Sequence, residues 1–90
     1  MRVVWDPRKA SANLRKHDIH FADAEGALFD PDAITREDPT AEGEQRFVSL
    51  GLDHLARVLV LVYSYRGESI RLISARRATR KERSQYEAGV

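Results

Sequence analysis

The sequence predicts an α+β domain, an antiparallel sheet with its helices packed on one face. Three observations carry that expectation. Residues 57–65 and 68–77 (RVLVLVYSY and ESIRLISARR) read as two apolar strands meeting at Arg66-Gly67, where glycine supplies the positive φ of a tight hairpin. Asp6-Pro7 near the start and Thr79-Arg80-Lys81-Glu82 near the end are both helix-start signatures. The resulting order, β-α-α-β-β-β-β-α with short turns between the late strands, belongs to a segregated rather than an alternating architecture.

In chain order, Arg2-Val3-Val4-Trp5 is a short strand by its β-branched and aromatic content. Asp6 is a preferred N-cap and Pro7 fits the first helical position, so a helix runs from Pro7 to about Lys16 and ends at His17 and Asp18. Ala10 and Leu14 are its apolar stripe. Phe21, Ala24 and Leu28 recur at helical spacing and predict a second helix from about Ala22 to Phe29, stopped by Asp30-Pro31. Residues 33–36 suit a short strand, Asp38 to Gly43 a polar loop, and Glu44 to Leu52 a strand with apolar residues on both faces. Asp53 to Ala56 turns the chain into the central hairpin. Thr79 with Glu82 three residues later forms a capping box, and the last helix extends to about Glu87.

Ninety residues make one domain, 1–90, large enough for a single sheet-and-helix core. A hydrophobic fraction of 42% beside a charged fraction of 32% fits a folded soluble chain rather than a disordered one. No apolar run is as long as a membrane span and the opening residues are too few for a signal peptide, so the expected location is cytoplasmic, with no membrane partner. Without cysteine there is neither a disulfide framework nor a thiolate metal site. The net charge of +1 conceals a segregation: residues 1–17 and 66–90 each carry +4, while residues 18–46 carry −7. Two basic termini around an acidic middle suggest two surfaces with different partners, although plain solvation also puts charge on helices.

With the turn at Arg66-Gly67, Tyr63 opposes Ile70 and Leu61 opposes Leu72. Leu59, Leu61, Tyr63 and Tyr65 then share the core face with Ile70, Leu72 and Ser74. The other face carries Val58, Val60, Val62, Ile73 and Ala75 together with Arg71 and Arg77, and Arg76 points away from it. That second face is apolar in the middle and cationic at its ends, which suits an anionic ligand.

Six cations fall within thirteen residues: Arg71, Arg76, Arg77, Arg80, Lys81 and Arg83. Guanidinium groups hold phosphate bidentately, and Arg80 and Lys81 open a helix whose dipole already favours anions. A solvated basic helix is the plainer reading of Arg80, Lys81 and Arg83. Arginines on an apolar strand face, as at Arg71 and Arg77, need a further reason. His17 is of the residue type that exchanges protons near neutrality, and it follows Lys16 at a helix end; it is equally a simple helix terminator. Glu44 and Arg46 lie two apart and share a strand face. Tyr86 suits base stacking, hydroxyl donation or anchoring of the last helix. His17 and His20 lack the partners of a zinc site, so no metal is expected.

Taken together these motifs resemble one family along nearly the whole chain. Trp5-Asp6-Pro7, Lys9, Ala10, Asn13, Lys16 and His17 match the WDPxKAxxNxxKH opening of BrnT toxins. Residues 21–24 resemble their next helix, Glu42 to Phe47 their EGExRF stretch, and Ile73 to Thr79 with Arg83, Tyr86 and Glu87 their ISARRAT…R..YE ending. Asp18 stands where the family usually has glycine, at a left-handed helix exit that Asp tolerates less readily. The resemblance implies a RelE-like toxin fold and the toxin of a type II toxin–antitoxin pair. Such a toxin is a metal-independent endoribonuclease that halts translation by cutting RNA and uses no cofactor. A BrnA-like antitoxin would mask it and connect it indirectly to operator DNA. The alternative is a non-catalytic nucleic-acid-binding or protein-interaction subunit of a repressor complex, for which the cations alone suffice.

RNA cleavage without metal requires the 2′-hydroxyl deprotonated, the phosphorane charge stabilised and the leaving oxygen protonated. On this sequence Arg76 and Arg77 are assigned to the phosphate, with Arg46 or Arg71 assisting. His17 is the candidate acid or base, Glu44 the alternative base, and Tyr86 positions a base or supplies a proton. Lys16, Arg71 and Arg80 complete the substrate-binding set.

Overall fold

Asp6 and Thr79 begin helices as their residue types suggest. The Asp6 carboxylate accepts a hydrogen bond from the Arg8 amide, and Thr79 and Glu82 form a reciprocal capping box. The computed structural model describes residues 1–89. In it the chain runs β1 (Arg2–Val4), α1 (Pro7–His17), α2 (Phe21–Ala24) continued by a 3-10 turn at Glu25–Phe29, and β2 (Ile34–Glu37). Then follow β3 (Phe47–Leu52), β4 (Val58–Arg66), β5 (Ser69–Arg77) and α3 (Arg80–Ala88). The five strands form one sheet in the order β1-β5-β4-β3-β2, antiparallel except for β1, which joins β5 in parallel. The α+β class and the element order are those expected from the sequence.

One face of the sheet is closed by α1, α2 and the 3-10 turn. Ile19, Phe21, Ala24 and Ala27 meet Leu59, Leu61, Tyr63, Ile70, Leu72 and Ala75 there, all of them buried. Trp5 seals one end by packing edge-on against Phe21, with ring centroids 5.8 Å apart. Gly51 lets the 3-10 turn approach β3: a Cβ at this position would lie 2.2 Å from the Ala27 carbonyl oxygen. The helices do not all share this face. α3 lies over the opposite one, where Glu82 and Gln85 stand above Ile34, Leu50 and Val60.

The hairpin differs from its expected register. Its turn is Gly67-Glu68 rather than Arg66-Gly67, because the positive φ of +58° at Gly67 falls on the first central position. This shifts the pairing by two residues and leaves the faces unchanged near the turn. Farther along, a bulge breaks the register: Tyr63 pairs with Leu72 but Val62 pairs with Ser74, leaving Ile73 as the extra residue. Beyond the bulge every side chain changes face. Ala75 therefore enters the core opposite Leu61, Ser74 turns outward, Arg76 joins the open face opposite Val60, and Arg77 lies opposite Leu59. The expected sharing of one face by Arg71 and Arg77 is corrected to Arg71 and Arg76.

Candidate active site

The open face is floored by Val62, Val48, Leu50 and Val60, and strand alternation adds cations around them. Arg71 pairs with Ser64, Arg76 with Val60, and Arg36 with Val48. Arg46 immediately precedes β3 and, by alternation, faces the same side as Val48. Glu44 was expected within a strand; it lies instead in the loop before β3, yet the loop carries it to the same cluster.

Glu44 is shared by two guanidiniums: Arg71 donates to Oε1 at 2.6 Å and Arg66 to Oε2 at 3.2 Å. The Ser64 hydroxyl, then the Arg71 guanidinium and the more distant Arg66 charge, hold the Glu44 carboxyl below the usual carboxylate range against a partial opposing effect of burial. Around this carboxylate several polar atoms are left over. Ser64 Oγ is turned to that carboxylate, while Arg46 Nε and Arg71 Nε are buried without a hydrogen bond among the described residues. Buried donors without partners each cost on the order of 1–3 kcal/mol, so two guanidinium N–H groups flanking Ser64, one just before β3 and one on β5, call for a ligand that satisfies them. The donor set is that of an anion site.

Arg76 is engaged differently. Its two terminal nitrogens reach the Glu82 carboxylate at 2.8 and 3.0 Å, tying α3 to β5. The Arg76 hydrogen bond is the main reason that the Glu82 carboxyl is pushed down to about 2. A groove of about 360 Å³ opens beside this pair, lined also by Arg36, Val48 and Leu50.

His17 and Lys16 end α1 and line a shallow pocket with Ile73 and Ser74 at the bulge, with no residue of the Glu44 cluster in its lining. Asp18 follows in the left-handed conformation, φ +58°, so the helix exit that glycine would ease is present here with Asp. Asn13, one turn before His17, ties α1 to β5. Its amide group accepts from the Ala75 N–H at 3.0 Å and donates to the Ala75 and Ile19 carbonyls at 2.9 and 3.1 Å. A side chain thus stands in for a neighbouring strand on the bulged edge of β5.

Besides His17 and Lys16, which line their own pocket, three residues singled out in the sequence do not join this cluster. Arg77 is exposed at the far end of β5, and Arg80 is exposed on α3, where the Thr79 and Glu82 amides are taken up by the capping box. The Tyr86 hydroxyl donates to Asp30, which also accepts from the Leu52 amide. That carboxylate pushes the tyrosine up to about 12, so Tyr86 is an anchor for α3 rather than a ready acid. Sequence reasoning missed Ser64, Arg66 and Arg36. Ser64 is the one polar residue in the alternation Val58, Val60, Val62, and that was its available signal.

A family model described as the ribonuclease toxin BrnT of type II toxin–antitoxin systems matches residues 5–82. The chain belongs to the BrnT family. A crystal structure of the Brucella abortus ribonuclease toxin BrnT is similar to it, with 26% identity and a TM-score of 0.66, over 89% of this chain and 99% of that one. No curated protein matches the chain significantly. As a BrnT-family toxin the chain is a ribonuclease: its substrate is RNA and its partner an antitoxin protein, so the enzyme reading stands over the non-catalytic alternative. Among the described residues no helix is long and apolar enough to cross a membrane, and no cluster of three or more His, Cys, Asp or Glu side chains forms a metal site.

Proposed function

We propose that this BrnT-family toxin cuts RNA on the open face at the Glu44–Arg71 cluster, without a metal ion. The observation that carries the reading is the pair Arg46 and Arg71, whose buried Nε donors lack partners on either side of Ser64 and one shared carboxylate. A phosphodiester in that row would take the hydrogen bonds left open, and the guanidiniums would meet the charge that grows on its oxygens. Arg76 and Lys16 extend the cationic rim on either side.

In the proposed reaction the 2′-oxygen attacks phosphorus and the bond to the 5′-oxygen breaks. The 2′-hydroxyl proton goes to a base and the departing oxygen receives a proton. Glu44 is held ionised by its neighbours, which makes it a weak base; it serves better to orient Arg71 and Arg66. Proton transfer is therefore assigned to His17, with Glu44 as the second choice, and Tyr86, Arg77 and Arg80 are left out of the chemistry. The products would carry a 2′,3′-cyclic phosphate and a 5′-hydroxyl.

The whole chain, 1–90, acts as one domain in this reading. It works in the cytoplasm, masked by a BrnA-like antitoxin through which it is linked to operator DNA. Purified toxin freed of antitoxin, incubated in excess EDTA with RNA and with translating ribosomes, tests the chemistry. Cleavage leaving cyclic phosphate ends is expected. Intact RNA in both incubations, or 3′-hydroxyl ends, would overturn it.

A further inference from the structure

Arg77 and Arg83, which have no part in the cluster above, line a second cleft with Ala56, Arg57, Val58 and Ala78. Its volume is about 250 Å³, and it lies at the end of the sheet remote from Glu44. Arg57 is fixed there by the fully buried Asp53 carboxylate, 2.7 Å away, which also accepts from the Leu55 and Arg57 amides. Among the described residues neither Arg77 nor Arg83 has a carboxylate within ion-pairing distance. Three guanidiniums with one carboxylate leave two uncompensated positive charges. On the open face, by contrast, Arg71 and Arg76 each meet a glutamate.

We propose that this cleft is a second phosphate subsite, holding an RNA phosphodiester several nucleotides away from the one that is cut. The inference rests on cleavage at the Glu44–Arg71 cluster. β5 carries both places, roughly 20 Å of extended strand apart. The bulge turns Arg77 off the open face, so a polyanion reaching both would leave that face at the end of the sheet, where Arg83 of α3 meets Arg77. A single phosphate does not cover that span. Arginine forks match phosphate oxygens bidentately. A protein segment is the less suitable occupant, because three guanidiniums dominate the lining and Ala56, Val58 and Ala78 offer little apolar area to hold an aromatic or aliphatic anchor. Two phosphate contacts set apart also give a reason for these arginines to be unpaired, since an internal carboxylate would compete with a ligand that arrives only with the substrate.

Fluorescence anisotropy with 2′-O-methyl oligouridylates, which lack the attacking hydroxyl, tests this on the intact toxin. The wild type should bind an octanucleotide more tightly than a dinucleotide. Arg83→Ala and Arg83→Glu should weaken the octanucleotide roughly fivefold or more and lower its log–log salt slope by about 0.7 for each lost contact, with dinucleotide binding unchanged. Arg71→Ala should weaken both lengths. If Arg71→Ala alone leaves both unchanged, the cleavage-site assignment falls while the length-dependent effect of Arg83 still supports the cleft. Equal octanucleotide affinity in wild type and both Arg83 variants would overturn the subsite. So would loss of antitoxin binding with RNA affinity intact, which would make the cleft a protein contact.

Discussion

On the closed face of the sheet, side chains are apolar and matched by size. Ala24, Ala27, Ala75 and Gly51 permit close approach, while Leu59, Leu61 and Leu72 fill the remaining space. On the open face, valines and leucines form only a floor, and Arg71 and Arg76 are answered by Glu44 and Glu82. The first arrangement draws its stability from packing and leaves nothing for a ligand to add. The second leaves donors unpaired around Glu44, a cost in the free protein that a bound phosphate can recover. Packing and chemistry therefore occupy opposite sides of the same strands, and substitutions should separate them.

The largest separation is expected from Arg46→Ala combined with Arg71→Ala. Loss of two anion donors should lower kcat/KM about 10³-fold, or about 4 kcal/mol, while the unfolding midpoint in urea stays near that of the wild type. Gly51→Ala should do the opposite. Its methyl would collide with the Ala27 carbonyl, destabilising the fold by about 3 kcal/mol in denaturant titration, with cleavage per folded molecule preserved. Asn13→Ala bridges the two sides. It strands the buried Ala75 N–H and the Ala75 and Ile19 carbonyls, costing about 2 kcal/mol, and it loosens the helix that carries Lys16 and His17. Both stability and cleavage should fall in this variant; a change in only one would break the proposed link through α1.

The smallest effect concerns Glu82. Its folded value near 2 is below the ordinary 4.5, so its contribution is full above the ordinary value and is lost as pH falls from about 4.5 to about 2. Glu82→Gln should therefore destabilise the protein by about 1 kcal/mol at neutral pH, allowing for partial solvent screening. The gap between variant and wild type should close in acid, as followed by thermal unfolding across that pH window.

The helix starts were legible because Asp6, Pro7, Thr79 and Glu82 act through neighbours in sequence. The hairpin's apolar alternation was legible for the same reason. The bulge at Ile73 was not: no glycine or proline marks it, and the strand just beyond it is held at Ala75 by Asn13 from a different part of the chain. Since a one-residue slip reverses every later side chain, that missed residue exchanged Arg76 for Arg77 on the open face. Glu44 was recognised as a carboxylate near Arg46, but its partners Arg66 and Arg71 lie more than twenty residues away and are visible only once the sheet is assembled. The anchoring of Tyr86 to Asp30 is likewise a contact across 56 residues that local pattern cannot register.

Which arginines share the face with Glu44 decides where the chemistry sits, and two single substitutions distinguish the possibilities. RNA cleavage in EDTA would be measured for Arg71→Ala and Arg77→Ala, each confirmed as folded by its unfolding midpoint. The structure predicts that Arg71→Ala falls to background, whereas Arg77→Ala keeps most of its kcat and shows a raised KM on long RNA. Full activity in Arg71→Ala together with an inactive Arg77→Ala would contradict the assignment of the chemistry to the open face.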